Sequence, residues 1–426
     1  MKFKKSVLLF FVVLSLLVVT ACGSEDNAEG GASSDSNEVE LKVFIAQPRF
    51  KTQYEKYLDE FAAYYEETEG VKVTFQLEMP GANEAAQILQ TRLSSNDAPD
   101  VFSLHALNEI PIFDRAGYLA DLSDLPFTEN LLDAPKNAVT RDGKVLAVPL
   151  ETLYWGYLYN EDIFNEYGIE IPTTISEMET VINTLNENGV TPFIRSYQER
   201  YIPQLFLPLI TGALSATEYP DFFERMNNND GSISELDGFF DIIDLVDANG
   251  TDRPFEVDGD QGSNMFANGE AAMWVQGPWM AESILNSNQD INFNVAPLPI
   301  NDDPDATLIN ASVSTSLAVS NESKNIEVSK ALVNFFLEGE KSGELFQELL
   351  FNPVTTKHEF EPFTWLTEAM KYVEEGKSYQ DPPIPNAVKA ESERVFQTYL
   401  AGSDSQEDVL EALDRVWQQA IELESE

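Results

Sequence analysis

The sequence predicts an α/β fold built on mainly parallel sheets, because strand-like and helix-like segments alternate along its first half. Residues 41–46, 71–77 and 100–104 are short runs rich in apolar residues, which is the pattern of strands. Residues 52–69 and 84–94 lie between them and carry apolar side chains at helical spacing. Strand–helix–strand units of this length join parallel strands by right-handed crossovers.

The other elements follow in order along the chain. The first helix begins near Thr52 and ends before Gly70, since glycine commonly closes a helix. Thr174 and Glu177 form a capping box at the start of a helix that runs to about residue 188. Further strands are predicted at residues 145–149, 155–159, 271–275, 292–296 and 316–319. The last hundred residues are mostly helical.

The N-terminus reads as an export signal. Lys2, Lys4 and Lys5 precede an apolar run at residues 7–19 that is too short for a membrane-spanning helix. Small residues stand directly before Cys22, the only cysteine of the chain, and this pattern fits a lipobox. In a lipobox the cysteine is acylated and becomes the first residue of the mature protein. An ordinary signal peptide with an incidental cysteine is the alternative.

Composition excludes several classes of function. The chain has 426 residues, of which 43% are apolar and 11% aromatic, so it can bury two domains of ordinary size. Its net charge of −47 argues against nucleic acid and anionic lipid head groups as direct partners. A solvated surface suited to a saline or alkaline exterior accounts for that charge. A single cysteine leaves no internal disulfide.

Five groups of short motifs stand in a fixed order over most of the chain. They are 98–102 with 116–122, 143–149, 158–164 with 167–169 and 172–174, 266–273 with 277–279, and 295–299. Together they resemble the extracellular solute-binding proteins of sugar ABC importers, the family-1 group that includes maltose-binding proteins. The resemblance implies a two-lobed periplasmic-binding-protein-like fold of type II. Each lobe would be a mostly parallel sheet flanked by helices, and the ligand would bind in the cleft between the lobes.

The resemblance also implies an organisation and a set of partners. The parts are a signal peptide at 1–21, a flexible lipid-anchored tether at 22–38, lobe 1 at 39–149 and 299–340, and lobe 2 at 150–298 and 341–426. The function it implies is a monomeric receptor that binds a sugar or oligosaccharide and delivers it to an ABC permease. A lipid on Cys22 would hold it on the extracellular face of the cytoplasmic membrane of a Gram-positive bacterium. No catalysis, cofactor, metal or nucleic acid is implied.

A sugar site needs flat aromatic rings for the C–H faces of the sugar and fixed polar groups for its hydroxyls. Trp279 follows a Gly-Pro pair at a helix start, and the family resemblance places it in the cleft as a stacking platform. The alternative is a core tryptophan. Glu151, Tyr154 and Trp155 lie where the chain is predicted to cross first between the lobes. Tyr154 and Trp155 fit a core position equally well.

Further candidates follow predicted strands, because open parallel sheets bind ligands at the carboxyl ends of their strands. Gln47 and Arg49 follow the first strand, and Arg49 either donates to sugar hydroxyls or pairs with a surface carboxylate. His105 follows the third strand, and Arg195 follows a short strand near residue 193. Trp365 borders the cleft or packs on the surface.

Two alternatives to a sugar receptor stay open. A secreted carbohydrate-active enzyme needs a defined pair of carboxylates, and 73 acidic residues make any choice of pair arbitrary. The sequence contains no HExxH, GxSxG or P-loop motif, and its two histidines do not have the spacing of metal ligands. Residues 227–231 resemble a calcium loop only loosely. The second alternative is the same fold binding a non-sugar polar solute.

Overall fold

The structure is a computed structural model that describes residues 37–95 and 97–425. The predicted signal peptide, Cys22 and all but the last two residues of the predicted tether lie outside the described residues. Among the helices of the described part, none has the length and the apolar character that crossing a membrane requires.

Strands and helices alternate from Glu38 to Ser425. The strands are β1 (Glu38–Phe44), β2 (Lys72–Glu78), β3 (Val101–Leu104), β4 (Thr140–Arg141), β5 (Lys144–Val145), β6 (Val148–Trp155), β7 (Tyr157–Asn160), β8 (Thr191–Phe193), β9 (Ala271–Trp274), β10 (Phe293–Ala296), β11 (Ile309–Val319) and β12 (Ser378–Tyr379). The helices are α1 (Lys51–Glu69), α2 (Ala82–Ser94), α3 (Ala106–Arg115), α4 (Asp133–Val139), α5 (Glu161–Tyr167), α6 (Ile175–Glu187), α7 (Tyr201–Gln204), α8 (Phe206–Thr217), α9 (Phe222–Asn227), α10 (Asp241–Ala248), α11 (Gly259–Ala267), α12 (Ala281–Ser287), α13 (Ile326–Glu338), α14 (Ser342–Glu348), α15 (Thr367–Glu374), α16 (Asn386–Leu400) and α17 (Gln406–Ser425).

Local sequence signals set most of these boundaries. Gly70 closes α1 with a φ of 69°, and the Thr174 hydroxyl caps α6 by accepting from the main-chain N–H of Glu177. The carboxylate of Glu177 accepts from the main-chain N–H of Thr173, one residue before the N-cap, at 2.7 Å, so the reciprocal bond of a strict capping box is displaced by one residue. Both predicted helix ends are therefore confirmed.

One predicted break is wrong. Residues 150–154 were expected to separate two strands, but they lie inside β6, which pairs with β11 in antiparallel fashion. Glu151 pairs with Thr315, and Tyr154 pairs with Ala311. The hydrogen bonds of a partner strand hold this polar stretch extended, and a local pattern cannot reveal such a partner.

The first sheet has the order β12-β11-β3-β1-β2, with β6 also paired to β11. β1 is parallel to β2 and to β3, which confirms the predicted βαβ units, whereas β11 is antiparallel to β3. Helices α1, α2, α3 and α13 contribute buried apolar residues to the cluster around this sheet, which we call the first core. The α/β class is therefore confirmed for this half of the molecule.

The second sheet has the order β10-β7-β9-β8 and is mixed. Only β8 and β9 are parallel, while β7 is antiparallel to both β9 and β10. The expectation of a mostly parallel second sheet is therefore wrong. The partners of β7 are β9 and β10, which lie far away in the sequence, so local patterns could not reveal the relative direction of these strands. Two adjoining apolar clusters surround this sheet, and we call them together the second core.

Long strands connect the two cores. In β6, Val148 and Leu150 pack in the first core, and Trp155 packs in the second. In β11, Ile309 belongs to the second core and Val313 to the first. Two long antiparallel strands therefore pass side by side between the cores, and the first of them lies where the first crossing is predicted.

Core membership also locates the other passages of the chain between the cores. Leu298 and Ile300 pack in the second core, and the chain passes to the first core within β11. Leu345 packs in the first core, so α14 contributes to this core. The third crossing falls between Val354 in the first core and Trp365 in the second. Apolar burial decides these boundaries, and the sequence motifs gave no information about which core each segment joins.

Candidate functional site

A depression lies beside β6, at the place where this strand leaves the first core. It measures about 360 Å³, including the part open to solvent. Phe50 and Leu349 of the first core border it on one side, and Leu366 of the second core borders it on the other. Its polar and aromatic lining includes Arg49, Glu151, Trp279, Asn352 and Trp365. We call it the hinge depression.

Glu151 is the acidic centre of the site, and only 6% of it is exposed. Its Oε2 accepts from the Nε2 of Gln47 at 3.1 Å, from the Oγ of Ser314 at 2.8 Å and from the Oγ1 of Thr315 at 3.0 Å. Its Oε1 lies 3.7 Å from the Nη2 of Arg49. One carboxylate oxygen is therefore held by three neutral donors, while the other faces a cation across the depression.

Gln47 supports Glu151 and has little left for a ligand. Its Nε2 also approaches Thr315 Oγ1 at 3.0 Å, and its Oε1 accepts from the Tyr54 hydroxyl at 2.5 Å. Burial raises the pKa of Tyr54 well above its usual value, and the nearby Glu151 carboxylate adds to the rise. Tyr54 thus stays protonated and keeps donating to Gln47. The structure gives Gln47 the role of positioning the Glu151 carboxylate.

Arg49 keeps its donors available. Its side chain is 43% exposed, and its guanidinium carbon lies 4.6 Å from the centre of the Phe50 ring. The cation–π contact orients the guanidinium over the first core, and the Glu151 carboxylate attracts it from the depression. Arg49 thus lies near a carboxylate, but this carboxylate is the buried Glu151 and not a surface group, and a contact of Arg49 with sugar hydroxyls stays a prediction.

Trp279 stands half-buried on the second core and lines the depression. It lies in a short 3₁₀ turn, Pro278–Met280, and α12 begins only at Ala281. A Cβ on Gly277 would lie 2.1 Å from the Trp279 ring, so only glycine leaves room for the indole in this position. The Gly-Pro pair therefore starts the 3₁₀ turn, and because Gly277 has no side chain, the Trp279 ring can lie against its backbone.

The two aromatic candidates of β6 lie on opposite faces of the strand. Trp155 is 5% exposed, packs in the second core and meets the Trp279 ring edge-on, with centroids 5.6 Å apart. Tyr154 points to the other face from Glu151 and Leu153, as strand alternation requires, and burial raises its pKa. The structure therefore brings Trp155 behind Trp279 and does not bring Tyr154 to the depression.

His105 lies at a second and larger cleft of about 1390 Å³, including open solvent. Its Nε2 is 3.4 Å from the Oδ2 of Asp381, and its Nδ1 is 3.2 Å from the Nδ2 of Asn108. Gln47 and Thr315 also line this cleft. Because they bond to Glu151, the hydrogen-bond network forms a wall between this cleft and the hinge depression.

Charged groups from two helices face His105 in this cleft. Burial raises the pKa of Glu109, which accepts from the main-chain N–H of His105 at 2.6 Å. Burial lowers the pKa of Lys389 on α16, while Asp381 and Glu109 oppose that change. The charges near His105 are thus largely compensated within the protein.

Arg195 does not reach either space. Its Nη1 donates to the carbonyl and the carboxylate of Asp247 at 2.7 and 2.8 Å, and its Nε and Nη2 donate to the Thr251 carbonyl at 2.9 and 2.6 Å. A Cβ on Gly250 would lie 2.4 Å from the Arg195 side chain, so the fit is tight. In this structure Arg195 links the segments of Asp247 and Thr251 in the second lobe.

Trp365 and three residues missed by the sequence reasoning complete the site. Trp365 lines the depression and stacks on Phe363, with centroids 4.7 Å apart. Asn352 and Glu282 also line the depression. The Tyr201 hydroxyl accepts from Gln276 beside Trp279, and burial raises the pKa of Tyr201 to about 12. No sequence signal marks these residues, because each comes from a segment whose neighbours in space are far away in the chain.

The lining of the hinge depression combines two carboxylates, a guanidinium and an amide with two tryptophans, and these groups come from both cores. Such a lining can make hydrogen bonds to hydroxyl groups and can pack against flat C–H faces. Among the described residues, no three His, Cys, Asp or Glu side chains lie close enough together to hold a metal ion.

Comparisons with known proteins agree with this architecture. The family model described as bacterial extracellular solute-binding protein matches residues 51–340. A melibiose/raffinose/stachyose-binding protein of Bacillus subtilis is 24% identical over 315 residues, which are 70% of each chain. A maltooligosaccharide ABC transporter solute-binding lipoprotein of Streptococcus pneumoniae is 26% identical over 376 residues, covering 84% of this chain and 82% of the relative.

A solved structure shows the same fold. The crystal structure of a sugar transporter protein of Bacillus licheniformis in complex with stachyose superposes with a TM-score of 0.74. The match covers 90% of this chain and all of that chain, at 20% sequence identity. The two-lobed α/β architecture is therefore shared at this low level of identity.

Proposed function

The chain belongs to the bacterial extracellular solute-binding proteins, and on that premise we propose that it is a receptor for a sugar or oligosaccharide that serves an ABC importer. The observation that carries the proposal is the hinge depression, where Trp279 and Trp365 meet the Glu151–Arg49 pair between the two cores. The names of the relatives support the ligand class, since they bind melibiose, raffinose, stachyose or maltooligosaccharides.

The proposed binding mode follows from the chemistry of a pyranose. The apolar face of the ring lies on the Trp279 indole, while its hydroxyls donate to Glu151 Oε1 and accept from the Arg49 guanidinium. Ligand contacts with both cores are complete only when the lobes are close together. The ligand therefore shifts the population toward the closed arrangement. No step of this mechanism changes a covalent bond, so the protein acts as a receptor and not as an enzyme.

A thermal-shift screen tests this function. The panel contains melibiose, raffinose, stachyose, maltotriose, diacetylchitobiose and a set of non-sugar polar solutes. A sugar that binds only the folded chain raises the melting temperature, by an amount that grows with concentration. Recovery of the sugar unchanged after incubation separates a receptor from an enzyme. A rise with non-sugar solutes alone would favour the second alternative.

The location proposed for the receptor rests on Cys22. The lipid on this residue holds a monomer on the outer face of the cytoplasmic membrane of a Gram-positive bacterium, where it meets its permease. Mass spectrometry of the protein from native membranes is expected to find a lipid-modified N-terminus at Cys22. The Cys22→Ser variant should appear in the medium. A wild-type mature chain that begins at another residue would contradict the anchor and leave the sugar site untouched.

Glu151→Gln is expected to weaken binding of the sugar identified in the screen about tenfold, because hydrogen bonds to a charged group are stronger than those to a neutral amide. The glutamine keeps the shape and can still accept from Ser314 and Thr315, so the melting temperature without sugar should change little. Isothermal calorimetry measures the affinity. Glu348, whose side chain is exposed on α14, provides the matched control, and Glu348→Gln should bind like wild type. Equal affinity of both variants would exclude Glu151 from the site.

A further inference from the structure

The segment Leu349–Asn352 turns sharply between the two cores. Leu349 and Phe351 pack in the first core, whereas Leu350 packs against the second. Leu350 has a φ of 57°, in the left-handed region that leucine rarely adopts. A strained backbone of this kind persists only where the surrounding structure enforces it, and such residues cluster at ligand sites. Here the turn carries the chain from α14 to Asn352, at the wall of the hinge depression.

Asn352 has one satisfied and one unsatisfied polar atom. Its Nδ2 donates to the main-chain carbonyl of Thr152 in β6 at 2.7 Å, which fixes the orientation of the amide. Its Oδ1 is buried and has no hydrogen-bond partner among the described residues. Asn352 as a whole is 5% exposed. Buried polar atoms in folded proteins are nearly always paired. An unpaired acceptor in the wall of a polar depression therefore points to a partner outside the chain.

We propose that Asn352 is a specificity-determining residue whose Oδ1 accepts a hydrogen bond from one hydroxyl of the bound sugar. The inference rests on the proposed function, since it names a further contact of the same site. One N–H of the amide donates to the Thr152 carbonyl and fixes the amide, which leaves Oδ1 as the acceptor for the ligand. The site thus selects a sugar with a free hydroxyl at this position and rejects one in which that hydroxyl is removed or methylated.

The test compares wild type, Asn352→Leu and Asn334→Leu by calorimetry with the panel of sugars named above. Leucine has nearly the size of asparagine but no acceptor. Asn334 on α13 is the control: its amide also makes one main-chain hydrogen bond, in which its Oδ1 accepts from the N–H of Phe127, but it does not line the depression. Asn352→Leu is expected to bind the preferred sugar about tenfold more weakly than wild type, and Asn334→Leu is expected to bind it equally.

Monodeoxy analogues of the preferred sugar separate specificity from a structural role. The analogue that lacks the hydroxyl contacted by Asn352 should bind wild type about tenfold more weakly than the parent sugar does. The same analogue should bind Asn352→Leu with the affinity that it has for wild type. If Asn352→Leu weakens every analogue by the same factor, Asn352 supports the fold only and the inference is overturned. Wild-type affinity in Asn352→Leu would also overturn it and leave the receptor function intact. A wild-type chain that binds no sugar of the panel would reject the receptor function and this inference together.

Discussion

Replacing Trp279 by alanine is expected to weaken sugar binding by roughly 1–3 kcal/mol while the fold stays largely intact. Trp279 is half-buried, lines the hinge depression and has the Trp155 ring behind it. The substitution removes the contact between the indole and the sugar face, which makes the binding free energy less favourable. The exposed side of the ring contributes little to the stability of the fold. Calorimetry measures the affinity, and a urea denaturation midpoint on the same sample measures the stability.

Trp274 provides the matched control for this prediction. It lies five residues earlier, is 1% exposed and donates from its indole nitrogen to Ser196 Oγ at 3.2 Å. Trp274→Ala should open a cavity in the second core and cost about 3–5 kcal/mol of unfolding free energy. If Trp279→Ala behaved in this way and kept full affinity, Trp279 would be a core residue and the stacking platform would be wrong.

The stability of the folded chain is expected to fall by as much as about 3 kcal/mol as pH drops from 6.5 to 4, because of one histidine. Burial lowers the pKa of His358 from its usual 6.5 to about 4. Ser342 Oγ donates to the Phe336 carbonyl at 2.5 Å, so the ring Nε2 of His358 must donate to that hydroxyl at 2.8 Å. The proton of the charged form would have to sit on Nδ1, which is buried without a partner among the described residues.

The sign of this effect follows from proton binding. Between pH 6.5 and 4 the unfolded chain carries a proton on His358 and the folded chain does not, so acid favours unfolding. The contribution of the neutral His358 ring to the stability of the folded chain is complete above pH 6.5 and is lost as pH falls toward 4. Urea denaturation measures the free energy of unfolding at pH 7.5 and at pH 5. The decrease of this free energy from pH 7.5 to pH 5 should be about 2 kcal/mol larger in wild type than in His358→Gln.

The comparison with wild type isolates His358, because the other histidine of the chain, His105, is present in both proteins. The same pH dependence in His358→Gln and wild type would show that the buried ring does not titrate in this window.

The candidate site shows how far sequence reasoning reached. Trp279 and Glu151 were predicted and lie together at the hinge depression, and their role in binding remains a prediction. Arg195 was predicted on its position after a strand, but the Asp247 and Thr251 oxygens occupy its donors. Asn352 was not predicted, since an isolated asparagine after a helix carries no signal. A residue type can suggest a chemistry, but only its neighbours in space decide whether its polar atoms are free.

The sequence by itself determined the local elements and the family. The apolar spacing of residues 52–69 gives α1, the Thr174 cap gives the start of α6, and the Gly-Pro pair gives the turn at Trp279. These features depend on residues a few positions apart, where backbone sterics and side-chain periodicity act directly. The tertiary structure alone decided the strand directions of the mixed second sheet, the crossings and the hydrogen-bond network of the site. Gln47 meets Glu151 across 104 residues of chain and Thr315 across 268, and only the packing of two cores brings such groups to hydrogen-bond distance.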